Sequence, residues 1–276
     1  MTTRTTSRRF KMSAKISRPK VVILAGGMGM RMREETEYRP KPMVQIGPYP
    51  VLWHIMKIYM AHGFNDFVVC LGYKGEMIKE YFLNYEAINN DFTLEYGEAS
   101  SIIPHRGANH ESFNVTLADT GINTMTGGRI KQIEKYIDSE DFLLTYGDGV
   151  ADVDIKALYE FHKSHGKIGT ISGVHPESRF GELRIQDGLV ADFAEKPQIT
   201  DGIINGGFFV LNKKIFDYIG KEDCFFEQEP LKKLTKDKQL SVYMHKGFWQ
   251  CMDTMRDVKH LNDLWDAKKA PWKVWK

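Results

Sequence analysis

The stretch Val21-Val22-Ile23-Leu24-Ala25-Gly26-Gly27-Met28-Gly29 constrains this 276-residue chain more than any other. Four apolar residues in a row read as a strand buried on both faces, the kind that fills parallel sheets. The run stops at small residues, where bare backbone lets N–H groups close on a ligand. Arg31 follows at once, and Lys41 stands between Pro40 and Pro42, whose rings stiffen the chain around it. A strand, a glycine loop and two restrained cations together suit a triphosphate, and so nucleotide chemistry. The loop alone is weak, because a tight turn explains it equally well. A dinucleotide fingerprint fails because Met32 stands where its third glycine belongs, and a Walker loop fails because Lys41 comes too late.

Beyond the loop, apolar spacing switches repeatedly between helical and extended periods. It predicts helices over 49–62, 77–84, 154–165 and 254–268, and strands over 67–71, 142–146, 168–174 and 207–211. Gly63 closes the first helix. Strand and helix in alternation predict a right-handed parallel α/β sheet. Residues 85–130 carry mixed signals and predict short strands and loops.

Composition narrows the class. Hydrophobic content of 42% and charged content of 27% are those of a globular protein, and no apolar run approaches the length of a membrane span. Cys70, Cys224 and Cys251 are scattered and odd in number, which predicts a reducing, cytoplasmic setting without a disulfide framework. Seven of the 38 basic residues fall in the first 20, where no acidic residue occurs, so the remainder is net acidic. That excludes an obvious nucleic-acid binder. Residues 1–19 read as a basic, disordered tail rather than a targeting signal, since their apolar face is thin. Residues 20–276 read as a single domain.

Asp148, in Tyr146-Gly147-Asp148-Gly149, is the second chemical feature. It follows a buried strand, at the sheet edge where ligands usually bind, and could reach a Mg²⁺ that also holds phosphate. An ordinary Asp-Gly turn is the plain alternative. Asp253 is a further candidate ligand, although Thr254 and Asp257 form a capping box that explains much of the local polarity. Gly128 and Arg129 repeat the pattern of small residue and cation. Lys196 is restrained by Pro197. Asn205 and Gly206 could bond hydroxyls or simply turn the chain. His162 and His165 sit near a helix C-terminus, where positive charge suits the dipole. No serine or cysteine nucleophile with a partnered histidine is evident.

The order of these signals is more specific than any one of them. LAGGxGxR, PKPM, GYKG, TGGR, YGDG, EKP, NGGFFVL and FWQxMDT resemble, in sequence, the sugar nucleotidyltransferases, and within them the glucose-1-phosphate cytidylyltransferases. VLWHIMKIY, FNVTLADTG, RFGELRI and KAPWKVW tighten the match to the latter. The resemblance runs from about Pro19 to Trp275. It implies an α/β fold with a Rossmann-like, mixed, mostly parallel sheet flanked by helices, a small additional β region and a C-terminal helix. It also implies transfer of a cytidylyl group from CTP to α-D-glucose 1-phosphate, giving CDP-glucose and pyrophosphate for surface-polysaccharide sugars. Leu24, Ala25, Gly26, Gly27 and Gly29 would then wrap the nucleotide, with Gly128 and Arg129 near its base and phosphates. Arg31 and Lys41 would be catalytic, holding the triphosphate. Asp148 and Asp253 would bind Mg²⁺, and Lys196, Asn205 and Gly206 would bind the sugar phosphate. A homo-oligomer without nucleic-acid or membrane partners is implied as well.

One departure stands out. Where the family usually reads G-x-G-T-R, this chain has Met30, which predicts weaker or slower nucleotide use. Two other readings stand beside the first: the same chemistry on a different sugar 1-phosphate or phosphomonoester, and a non-catalytic nucleotide-binding subunit. Retention of both metal carboxylates argues against the last.

Overall fold

Along the chain come β1 (Val21–Leu24), α1 (Val51–Ala61), β2 (Asp66–Leu71), α2 (Gly75–Leu83), β3 (Asn114–Asp119), α3 (Thr126–Gln132) and β4 (Asp141–Tyr146). Then follow β5 (Gly149–Ala151), α4 (Ile155–His165), β6 (Gly169–Val174), β7 (Ile204–Asn212), α5 (Glu229–Lys236), β8 (Leu240–His245), β9 (Trp249–Cys251) and α6 (Met255–Asp266). Shorter helical turns and two-stranded ribbons lie between them. The computed structural model describes residues 19–97, 101–105, 111–176, 182–186, 189–194, 202–220 and 223–275, with 182–186 and 189–194 described by backbone alone.

Seven strands form one sheet in the order β8-β6-β7-β4-β1-β2-β3. Six run the same way, and β7 opposes both of its neighbours. β1 is central and covered on both faces. Val21 and Ile23 join the apolar cluster on one side, Val22 and Leu24 that on the other. Pleating sends successive side chains to opposite faces, so a strand buried on both has no place for a polar residue. α1, α4 and α6 cover the first face with Ile55, Leu158 and Leu261; α3 and α5 cover the second with Ile130 and Leu234. This is the Rossmann-like α/β arrangement expected. Among the described residues no helix is long and apolar enough to cross a membrane.

Local chemistry sets the boundaries. α1 starts at Val51, two residues later than its apolar spacing, because Tyr49–Pro50 pairs with Gln45–Ile46. Asp154 caps α4 by accepting from the Ala157 N–H, and Gly166 ends it at φ 64°. Thr254 and Asp257 cap α6 reciprocally, as their spacing predicts. The ambiguous region holds β3, a short helix at Tyr85–Asn89 and a hairpin of Asp91–Glu95 with Ser101–His105. After β3 the chain crosses back to place β4 on the other side of β1. That reversal opens a crevice at the C-terminal ends of β1 and β4, where open α/β sheets bind ligands.

Candidate active site

The crevice holds a cavity of about 620 Å³, lined among others by Leu24, Ala25, Gly26, Gly27, Gly29, Arg31, Lys41, Arg129 and Asp148. Of the residues expected around the nucleotide, only Gly128 is missing from this lining. Gly29 sits at φ +61°, and a Cβ there would lie 2.7 Å from the Thr36 methyl, so both backbone and space require glycine. The Thr36 hydroxyl is shared between the carbonyls of Gly29 and Met32 at 3.1 Å, which props the loop from below. Met30 is 79% exposed and contributes no polar group.

Arg129 is only 3% exposed. Its guanidinium donates to the carbonyls of Leu71 (2.9 Å), Gly26 (3.0 Å) and Ile122 (3.2 Å) and to the Thr120 hydroxyl (2.7 Å). Burial lowers its pKa from the ordinary arginine value, offset in part by Cys70, Asp223 and Asp119. A Cβ on Gly26 would lie 2.1 Å from Nη1, so the loop closes on the arginine only because glycine is there. In this structure Arg129 thus pins the glycine loop to the ends of β2 and β3. Gly128 answers a packing need: a Cβ there would lie 2.1 Å from Asp223 Oδ1, and that carboxylate accepts the Met125 N–H at the start of α3.

The charged centre lies at the mouth of the same loop. Lys41 Nζ is 2.6 Å from Asp148 Oδ2 and 2.5 Å from Asp253 Oδ1, and Arg31 Nη1 is 2.8 Å from Asp253 Oδ2. Asp148 leaves the end of β4, and Asp253 follows β9. Pairing of β9 with β5 sets Cys251 beside Gly149, and the Met252 N–H donates to the Asp148 carbonyl at 2.8 Å. Two carboxylates from distant parts of the sequence thereby converge on one ammonium. Burial alone would lower the Lys41 pKa, but the Asp148 charge and hydrogen bonds to both carboxylates outweigh it and hold the pKa above its ordinary value. Burial likewise pushes the Asp253 carboxyl up, while Lys41 and Arg31 more than reverse this and leave it below the usual carboxylate range.

Two cations and two carboxylates leave this quartet without formal net charge. Among the described residues no group of three or more His, Cys, Asp or Glu could hold a metal alone. Mg²⁺ does not require one, since it is commonly held by one or two carboxylates with substrate phosphates and water. The hard oxygen donors of Asp148 and Asp253, already gathered around a cation, fit that ion.

Asn205 and Gly206 begin β7, which runs antiparallel to β4 and so arrives at the same edge. A smaller cavity of about 50 Å³ opens there, lined by Asp148, Asn205, Gly206, Trp249 and Cys251 among others. Trp249 Nε1 donates to the Gly206 carbonyl at 2.7 Å and fixes that wall. Lys196 and its EKP motif lie outside the described residues. His162 and His165 lie in the last turn of α4, as their spacing suggested; His162 is buried there against Thr170 and 3.6 Å from Asp141. Tyr146, Thr126 and Glu227 also belong to this region; Tyr146 opens the YGDG motif and Thr126 the TGGR motif, while Glu227 falls in none.

Residues 20–272 match the nucleotidyl transferase family. The chain belongs to that family. Among nucleotidyltransferases it is 52% identical to the glucose-1-phosphate cytidylyltransferase of Salmonella typhi over 257 residues, which span 93% of this chain and 99% of that protein. The probable glucose-1-phosphate cytidylyltransferase of Bacillus subtilis is 48% identical over 259 residues, covering 93% and 100%. Among solved structures, HddC from Yersinia pseudotuberculosis matches with a TM-score of 0.65 at 27% identity, over 90% of this chain and all of that one. The nucleotidyltransferase fold and class therefore hold on sequence and on structure.

Proposed function

We propose that this nucleotidyltransferase transfers a cytidylyl group from CTP to α-D-glucose 1-phosphate, releasing pyrophosphate and forming CDP-glucose. The observation that carries this reading is the quartet of Arg31, Lys41, Asp148 and Asp253, set between the glycine-loop cavity and the smaller cavity at Asn205. Identity of 52% to a glucose-1-phosphate cytidylyltransferase along nearly the whole chain supports the choice of substrates. We read residues 20–276 as one catalytic unit.

In the reaction a phosphate oxygen of the sugar phosphate attacks the α-phosphorus of CTP, and the bond to the β-phosphate breaks. The acceptor is its own nucleophile, so the protein needs to supply none. Its work is to hold two anions in line and to balance charge that builds on the leaving pyrophosphate. The glycine loop offers backbone donors to the triphosphate, and Arg31 and Lys41 offer their charges. A triphosphate that draws these cations frees Asp148 and Asp253, which would then hold Mg²⁺. Once bound, that ion supplies charge neutralisation at the phosphate oxygens. Nucleotide and metal therefore favour each other's binding, because each takes up the partners that the other releases.

Met30 favours one second reading, in which the loop has diverged toward another sugar 1-phosphate. Pyrophosphate release with CTP, UTP, dTTP and ATP against glucose 1-phosphate and other sugar phosphates decides between them. Release confined to CTP with glucose 1-phosphate supports the first reading. Release only with another acceptor supports the second, and tight nucleotide binding without any turnover rejects both in favour of a binding subunit.

A further inference from the structure

Tyr146 lines both cavities, the larger beside the glycine loop and the smaller beside Asn205. Its hydroxyl is 2.7 Å from Glu227 Oε1 and 3.2 Å from Asn205 Nδ2. The other carboxylate oxygen of Glu227 accepts the Thr126 hydroxyl at 2.6 Å, and that hydroxyl itself accepts the Phe226 N–H at 2.8 Å. Glu227 lines neither cavity and touches them only through these two hydroxyls.

The donor and acceptor inventory fixes every proton in this chain. The carboxylate of Glu227 can only accept, so both hydroxyls point their hydrogens at it. The Tyr146 oxygen then presents a lone pair to Asn205, whose Nδ2 donates. Asn205 Oδ1 accepts the Gly207 N–H at 2.8 Å, which locks the amide against rotation. Gly207 has φ +80°, and a Cβ there would lie 2.8 Å from the Tyr146 ring, so the turn and the tyrosine fit only together. One amide hydrogen of Asn205 remains to meet a ligand hydroxyl in the smaller cavity.

We propose that Glu227 is a positioning residue for the acceptor: its carboxylate aims the Tyr146 hydroxyl, which sets the Asn205 amide toward the sugar of the incoming sugar phosphate. The inference rests on the reading of that cavity as the acceptor site. Glu227→Gln can keep an acceptor for Thr126, but its amide N–H₂ then meets the Tyr146 oxygen and forces that hydroxyl to turn. Asn205, itself a donor there, is left facing a donor. Tyr146→Phe removes the same link and leaves the Thr126 bond intact.

The test measures steady-state kinetics, calorimetric affinity for glucose 1-phosphate, and calorimetric affinity for CTP without acceptor. Each variant is expected to raise the acceptor KM about tenfold and to weaken acceptor binding in step, as loss of a charge-assisted link would. For Glu227→Gln, whose site lines neither cavity, CTP affinity and kcat should stay within about twofold, and the double variant should have an acceptor KM no worse than the poorer single one, since both break one link. Acceptor KM unchanged in both variants, effects that multiply in the double variant, or an equal loss of CTP affinity in Glu227→Gln would overturn the positioning role. Wild-type protein that neither binds nor turns over any sugar 1-phosphate would overturn the acceptor reading and this inference together. Normal wild-type turnover with unaffected variants removes the inference alone.

Discussion

Acidification should destabilise this fold through one buried histidine, well above the pH at which its carboxylates titrate. His54 is fully buried in α1. Nε2 lies 2.9 Å from the Ile46 carbonyl, and Trp272 Nε1 lies 3.3 Å from Nδ1. An indole N–H only donates, so Nδ1 must be a bare acceptor and Nε2 carries the hydrogen that Ile46 receives. A second proton would remove the acceptor from Trp272 and leave a buried cation. Burial accordingly lowers the His54 pKa from 6.5 to about 4, and the bond to Ile46 offsets only part of that. Between those values the unfolded chain binds a proton that the folded chain refuses. Stability is complete above about pH 6.5, declines as the pH falls, and levels off near pH 4; the full gap corresponds to about 3 kcal/mol, with about 2 kcal/mol already lost by pH 5. Urea unfolding at a series of pH values, followed by circular dichroism, reads this directly. His54→Gln is the control, since its amide can serve both neighbours but cannot titrate, and the difference between the two proteins cancels every other group. Asp141 and Asp253, both held below the usual carboxylate range, enter only below about pH 4. If wild type and variant lose stability in parallel between pH 6.5 and pH 5, the tautomer argument is wrong.

Three further outcomes follow from the site. Lys41→Met leaves Asp148 and Asp253 facing each other without their shared ammonium, and should cost about 2–4 kcal/mol near neutral pH. In wild type the lowered Asp253 pKa adds stability that is present above about pH 4 and lost as the pH falls further; in the variant one carboxylate regains a proton, so the gap between its thermal midpoint and that of wild type should narrow on acidification, the His54 contribution being common to both. A neutral-pH midpoint equal to wild type would refute the quartet. Gly26→Ala places a carbon 2.1 Å from Arg129 Nη1 and must dislodge a guanidinium from its oxygen acceptors; a loss of at least about 2 kcal/mol in urea unfolding is expected, together with weaker nucleotide binding. Met30→Thr returns a hydroxyl to the loop and should tighten CTP binding by about 1 kcal/mol, roughly fivefold, in calorimetry. Unchanged affinity would show that the lost hydroxyl never mattered.

What could be read from the sequence was local, and what could not was decided by long-range approach. β1 was legible because a strand covered on both faces leaves no polar position, and α6 because Thr254 and Asp257 cap it across one turn. α5 and β8 escaped notice for a related reason. α5 rests its weight on three buried residues, Pro230, Leu231 and Leu234, and β8 is an edge strand with Val242 and Met244 exposed, so neither shows the dense apolar pattern of the centre. The charged residues divide in the same way. Arg31, Lys41, Asp148 and Asp253 were each visible as candidates, yet that one ammonium bridges both carboxylates depends on β9 pairing with β5, and no local spacing encodes that. Arg129 looked like a phosphate ligand because it follows two glycines; the carbonyls that hold it belong to Gly26, Leu71 and Ile122, and only the assembled sheet brings those within reach. Glu227 is the limiting case. It lies in no motif, and its meaning comes wholly from the two hydroxyls that β4 and α3 carry to it.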